Sequence, residues 1–128
     1  MAFEYKILLV DDEVEAREAL AMGLEARGFA VHQLGRGNEV VASARSLWPS
    51  LIILDVVLPD LPGTEVLKRL REDPVTRGIP ALLLTAKPDI VAQQIPGFRE
   101  SSDRFVEKPG QTEDILRTVR EMLTGKKR

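Results

Sequence analysis

The chain has 128 residues, 44% of them hydrophobic and 30% charged, with a formal net charge of -2. That length suits one domain with a real core, and the composition is that of an ordinary globular chain rather than a disordered one. The absence of cysteine excludes disulfides, thiolate chemistry and Cys-based metal centres, and a single histidine, His32, argues against a His-rich metal site or a Ser-His-Asp triad.

No apolar run approaches the roughly 20 residues that span a bilayer, and the N-terminus has no signal-peptide pattern. A cytoplasmic protein without membrane contact is expected. The near-balanced charge argues against direct nucleic-acid binding, and Lys126-Lys127-Arg128 reads as a solvated basic tail. One domain is expected over residues 1–128, with its core at about 5–123.

The first apolar run, Tyr5–Val10, stops at three acids, Asp11, Asp12 and Glu13. Ala16, Ala19, Leu20, Gly23 and Leu24 then mark a helix, with Gly28 at its C-terminal stop. Phe29–Leu34 is strand length and carries His32 on one face. Val40, Val41, Ala44, Leu47 and Trp48 give a second helix ended by Trp48-Pro49-Ser50, with Trp48 expected to pack at that end. Leu51–Leu54 is a third strand, followed by Asp55, and Val66, Leu67 and Leu70 mark a shorter helix. Glu72–Pro80 reads as a loop, Ala81–Leu84 as a fourth strand followed by Thr85, and Arg104–Val106 as a fifth with Lys108 after it. Ile115, Leu116, Val119, Met122 and Leu123 close the chain as a helix. A β-α unit repeated five times predicts a parallel sheet covered on both faces, with right-handed crossovers.

Ligands of such sheets bind beyond the carboxyl ends of the strands. Asp11, Asp12, Asp55, Thr85 and Lys108 all fall there. Carboxylates forced together repel, and a divalent cation relieves that repulsion. An all-oxygen donor set with room for waters suits Mg²⁺. A carboxylate beside it can attack a phosphoryl group, with Lys108 and Thr85 donating to the phosphoryl oxygens. Asp11 and Asp12 would also cap the helix that follows, but Asp55 has no such structural role.

In this order, Asp11-Asp12, Asp55 in an Asp-x-x-Leu-Pro context, Thr85-Ala86 and Lys108-Pro109 resemble the receiver domain of two-component response regulators, the CheY-like superfamily. The resemblance runs from Tyr5 to about Leu123. It implies a doubly wound (βα)5 fold with flavodoxin-like strand order 2-1-3-4-5. It further implies that Asp55 accepts phosphate from a sensor histidine kinase or phosphotransfer protein, and that Asp11, Asp12, Asp55 and the Val57 carbonyl hold Mg²⁺. Thr85 and Phe105 would act as a switch, Lys108-Pro109 would be cis, and a downstream protein or an output domain would read the state. Such a protein is a signalling module rather than an enzyme.

Two stretches depart from the family pattern. Pro62-Gly63 replaces an Asp-Gly pair, and Pro96-Gly97 breaks the segment Ala86–Phe105, where Ser101-Ser102-Asp103 replaces the usual closing turn. A helix starting near Pro88, with Asp89, Ile90 and Val91, is therefore expected to give way to a mobile loop over Pro96–Asp103 near Thr85 and Phe105. Competing readings are a receiver-like interaction domain that signals without phosphorylation, a flavodoxin-like cofactor binder and a hydrolase. Asp11-Asp12 would repel a phosphate-bearing cofactor, and no substrate pocket is evident for a hydrolase.

Overall fold

A computed structural model describes residues 5–86, 95–108 and 112–125. Five parallel strands form one sheet: β1 (Lys6–Val10), β2 (Ala30–Leu34), β3 (Leu51–Asp55), β4 (Ala81–Thr85) and β5 (Arg104–Glu107), in the order β2-β1-β3-β4-β5. The described helices are α1 (Val14–Ala26), α2 (Val40–Leu47), α3 (Gly63–Glu72) and α4 (Thr112–Thr124), with one 3-10 turn at Gly37–Glu39. Strand order and parallel pairing match the expected doubly wound fold.

The alternation of side chains along each strand divides the core in two. Leu8, Val10, Ile52, Leu54, Ala81 and Leu83 point to the face covered by Val40 and Ala44 of α2 and by Val66, Leu67 and Leu70 of α3. Ile7, Leu9, Leu51, Ile53, Leu82 and Leu84 point to the other face, beneath Leu20, Ala21 and Leu24 of α1 and Leu116 and Val119 of α4. This is why the central runs are apolar at every position: both faces are buried. Transfer of a Leu or Ile side chain into such a core is worth about 1.5–3 kcal/mol, so these strands fix the frame on which the loops sit.

Some expectations need correction. Asp55 and Thr85 are the last residues of β3 and β4 rather than the first residues beyond them. The buried stripe of α1 is Leu20, Ala21 and Leu24, while Ala16 and Ala19 face solvent. An alanine is too small to mark which side of a helix is covered. Trp48 does not pack at the end of α2: it is 72% exposed and holds a left-handed backbone with φ 53°, which turns its ring outward.

Residues Ile95–Asp103 form turns and contain no helix, as the proline and glycine predicted. The C-terminal end of this segment is nevertheless tied down. Both oxygens of Asp103 accept from Arg71 Nη2 at 2.8 Å, and Asp103 also accepts the N–H groups of Ala81 and Arg99 at 2.9 and 2.8 Å. Arg71 donates its remaining N–H groups to the carbonyls of Gly97, Arg77 and Ile79. The helix expected to start near Pro88, with Asp89, Ile90 and Val91, falls outside the described residues. So do the Lys108-Pro109 bond and Lys126-Lys127-Arg128.

Candidate functional site

The site is assembled by backbone register. β1 and β3 pair with Val10 opposite Leu54, so Asp11 and Asp55 leave the sheet side by side. Asp55 pairs with Leu84 on β4, which sets Thr85 one step further along, and Thr85 pairs with Glu107. The Lys108 N–H donates to the Thr85 carbonyl at 2.8 Å, placing the Lys108 side chain at the same edge.

Asp11, Asp12 and Asp55 each offer a carboxylate oxygen, and these oxygens lie within 4.8 Å of one another. Asp11 and Asp55 are buried and Asp12 is exposed. Lys108 Nζ donates to Asp11 Oδ2 and Asp55 Oδ2, both at 2.8 Å. It also pairs with Glu13 Oε1 at 3.0 Å. Asp55 Oδ1 accepts the Val57 N–H at 3.0 Å. Asp11 Oδ1 accepts the Glu13 N–H at 3.0 Å, so Asp11 does serve the start of α1 as well as the cluster. The turn after β3 needs Gly63, which donates its N–H to the Val56 carbonyl. A Cβ there would collide with the Asp55 carbonyl oxygen and the Val56 Cα.

Burial pushes the Asp55 carboxyl up from its ordinary value of 3.8, more than the hydrogen bonds from Lys108 and Val57 pull it down. Burial alone would push the Lys108 ammonium down, but its bonds to Asp11, Asp55 and Glu13 outweigh that and raise it above 10.5. The pair is thus a basic carboxylate beside a firmly charged ammonium. Three carboxylates, those of Asp11, Glu13 and Asp55, pair with this one ammonium, and the Asp12 carboxylate lies beside those of Asp11 and Asp55. A divalent ion with a preference for oxygen donors fits that excess charge and that donor set.

The expected residues therefore do not all meet. Asp11, Asp12, Asp55 and Lys108 converge, Val57 supplies its amide to Asp55, and Thr85 stands on the neighbouring strand end. Phe105 is set apart: half-buried, it packs against the α2–α3 side of the core and stacks on Phe98 with ring centroids 4.3 Å apart. Two contributors were missed. Glu13, read only as the third acid after the first apolar run, reaches Lys108. Asp60 anchors the neighbouring loop by accepting the N–H groups of Gly37 and Asn38 at 2.8 and 2.9 Å, which lowers its pKa below the ordinary value. Its place three residues before the glycine that starts α3 was the available signal.

A parallel five-stranded sheet with acids, a threonine and a lysine on its carboxyl edge defines a receiver module. Residues 7–120 match the response regulator receiver domain, and the chain belongs to that family. It is 40% identical over 91% of its length to the probable transcriptional regulatory protein TcrX of Mycobacterium tuberculosis. It is 38% identical over 92% of its length to the DNA-binding dual master transcriptional regulator RpaA of Synechocystis. The chain spans about half the length of these relatives, 49% and 48%. Among solved structures, the chemotaxis response regulator CheY4 of Vibrio cholerae superposes with a TM-score of 0.83 at 27% identity, covering 93% of this chain and 98% of that one.

The relatives overturn the expectation that nucleic acid is no partner, since the regulators this chain resembles include proteins named for binding DNA. The charge of a receiver surface carries no information about a segment joined to it, so the inference from net charge was unsound. Among the described residues no helix is long and apolar enough to cross a membrane.

Proposed function

We propose that Asp55 accepts a phosphoryl group from a sensor histidine kinase or phosphotransfer protein in the cytoplasm, in a Mg²⁺-dependent reaction, and that the phosphorylated state changes what the domain binds. The observation that carries this reading is Lys108 Nζ donating at 2.8 Å to both Asp11 and Asp55. A buried carboxylate made more basic by its surroundings is a competent nucleophile. Its oxygen forms the new bond to phosphorus as the bond from phosphorus to the donor nitrogen breaks, and the leaving imidazole keeps that electron pair and takes a proton. The Asp11, Asp12 and Asp55 carboxylates with the Val57 carbonyl would hold Mg²⁺, which when bound supplies positive charge for the phosphoryl oxygens. Val57 N–H orients Asp55, and Lys108 neutralises charge on the transferred group, as does the Thr85 hydroxyl by hydrogen bonding.

The module turns over only its own aspartyl phosphate. Its output passes through Thr85 and Phe105 to a downstream protein or an attached output domain, and the DNA-binding relatives make a route to DNA part of this proposal. Intact mass measured after incubation with acetyl phosphate tests the reading. One added phosphoryl group with Mg²⁺, and none with a chelator, is the expected result. Labelling that ignores the metal contradicts it.

A further inference from the structure

Glu13 has an unusual employment. It is the N-cap of α1, yet its side chain makes no capping hydrogen bond. Serine, threonine, asparagine or aspartate there would satisfy a free amide of the first turn. Instead the carboxylate reaches sideways to Lys108 Nζ at 3.0 Å. An ammonium has three N–H groups. Those of Lys108 face three acceptors: Asp11, Asp55 and Glu13. The side chains of Asp11 and Asp55 are 4% and 8% exposed, and that of Glu13 is 63% exposed.

We infer that Glu13 is a positioning residue for phosphoryl acceptance: it holds the Lys108 ammonium in its unphosphorylated place and is the acceptor that releases it. This rests on the phosphoacceptor reading of Asp55. On phosphorylation the Asp55 contact passes to a phosphoryl oxygen on that same residue, and the ammonium moves toward it only by loosening its hold on Asp11 or Glu13. Asp11 is the costlier of the two to release, because water has little access to its buried carboxylate to replace the ammonium. Glu13 is the easier, because water replaces Lys108 at its exposed carboxylate. The Glu13 contact therefore stabilises the resting arrangement and slows entry into the phosphorylated one. Its strength is that of an exposed ion pair, so the effect is modest and measurable.

The test compares rates of aspartyl-phosphate formation from acetyl phosphate at saturating Mg²⁺, read by intact mass, for the wild type, Glu13→Ala and Glu13→Asp. Saturating metal removes any effect of Glu13 on metal affinity. Glu13→Ala should label about two- to fivefold faster than wild type. Glu13→Asp keeps the charge but shortens the arm by one methylene, and should also label faster. In a Lys108→Met background, Glu13→Ala should change nothing, because Glu13 acts through that ammonium. A wild-type rate for Glu13→Ala overturns the inference and leaves the phosphoacceptor reading intact. A wild-type rate for Glu13→Asp, or the same acceleration without Lys108, would show that Glu13 merely repels the anionic donor and overturns it too. No labelling of any of these proteins at Asp55 overturns the phosphoacceptor reading and this inference with it.

Discussion

Replacing Asp103 with alanine tests how the interrupted segment is held. The Arg71 and Asp103 side chains are 7% and 0% exposed, and the guanidinium places every N–H on an acceptor. Removing the carboxylate leaves a cation in a dry site and strips the Ala81 and Arg99 amides of their acceptor. Breaking one side of a buried pair costs about 3–5 kcal/mol. For a domain of this size, 1 kcal/mol moves the melting temperature by about 3–5 °C, so a drop of roughly 10–20 °C is expected by calorimetry. Asp103→Asn keeps one carbonyl oxygen for the Ala81 amide and should fall between that variant and wild type. Removing both partners with Arg71→Met and Asp103→Ala should not restore stability, because the carbonyls of Gly97, Arg77 and Ile79 then lose their donors. A melting temperature for Asp103→Ala within about 2 °C of wild type would refute this account of the segment.

Burial raises the Asp55 pKa, so the stability this group contributes is present below 3.8 and is lost as pH rises through the higher folded value. In urea titrations without Mg²⁺, the stability of Asp55→Asn relative to wild type should therefore increase as pH rises above 3.8, and a pH-independent difference would contradict the burial argument. Lys108 has the opposite charge and a raised pKa, so its stabilisation is full below 10.5 and declines as pH climbs past the folded value. Lys108→Met should lack that alkaline loss. Mg²⁺ at about ten times its dissociation constant should stabilise the wild type by about 1.4 kcal/mol and raise its melting temperature by about 5 °C. Asp12→Ala should show no such rise, and an unchanged rise would remove Asp12 from the metal site. Gly63→Ala forces a Cβ onto the Asp55 carbonyl and should cost about 1–3 kcal/mol and slow labelling of Asp55. Wild-type stability and rate in that variant would show the turn to be more yielding than its contacts imply.

The sequence revealed the sheet because its central strands are apolar on both faces, a pattern that surface strands do not produce. It revealed Asp11, Asp55 and Lys108 because each stands where a strand ends, and parallel register carries strand ends to one edge. Contacts made by long side chains were less legible. Arg71 sits on an amphipathic helix and reads as a solvated charge, and Asp103 reads as a turn former. Only the fold brings them together and excludes water from both. Glu13 was visible as a third acid, but its direction was not, since an N-cap residue is expected to bond its own helix. Trp48 failed for a related reason: periodicity assigned its ring to the helix face, whereas the backbone had already left helical geometry. Output partners were the least legible, because the sheet and acidic site of a receiver domain carry no signature of what reads their state.

Phosphorylation of Asp55 is the central claim, and chemical trapping at that residue tests it most directly. Reduction of an aspartyl phosphate by borohydride yields homoserine, which peptide mass spectrometry locates. After incubation with acetyl phosphate and Mg²⁺, position 55 should carry homoserine in the wild type, and Asp55→Asn should yield none anywhere in the chain. Homoserine at Asp11 or Asp12, or an equal yield from Asp55→Asn, would contradict the assignment.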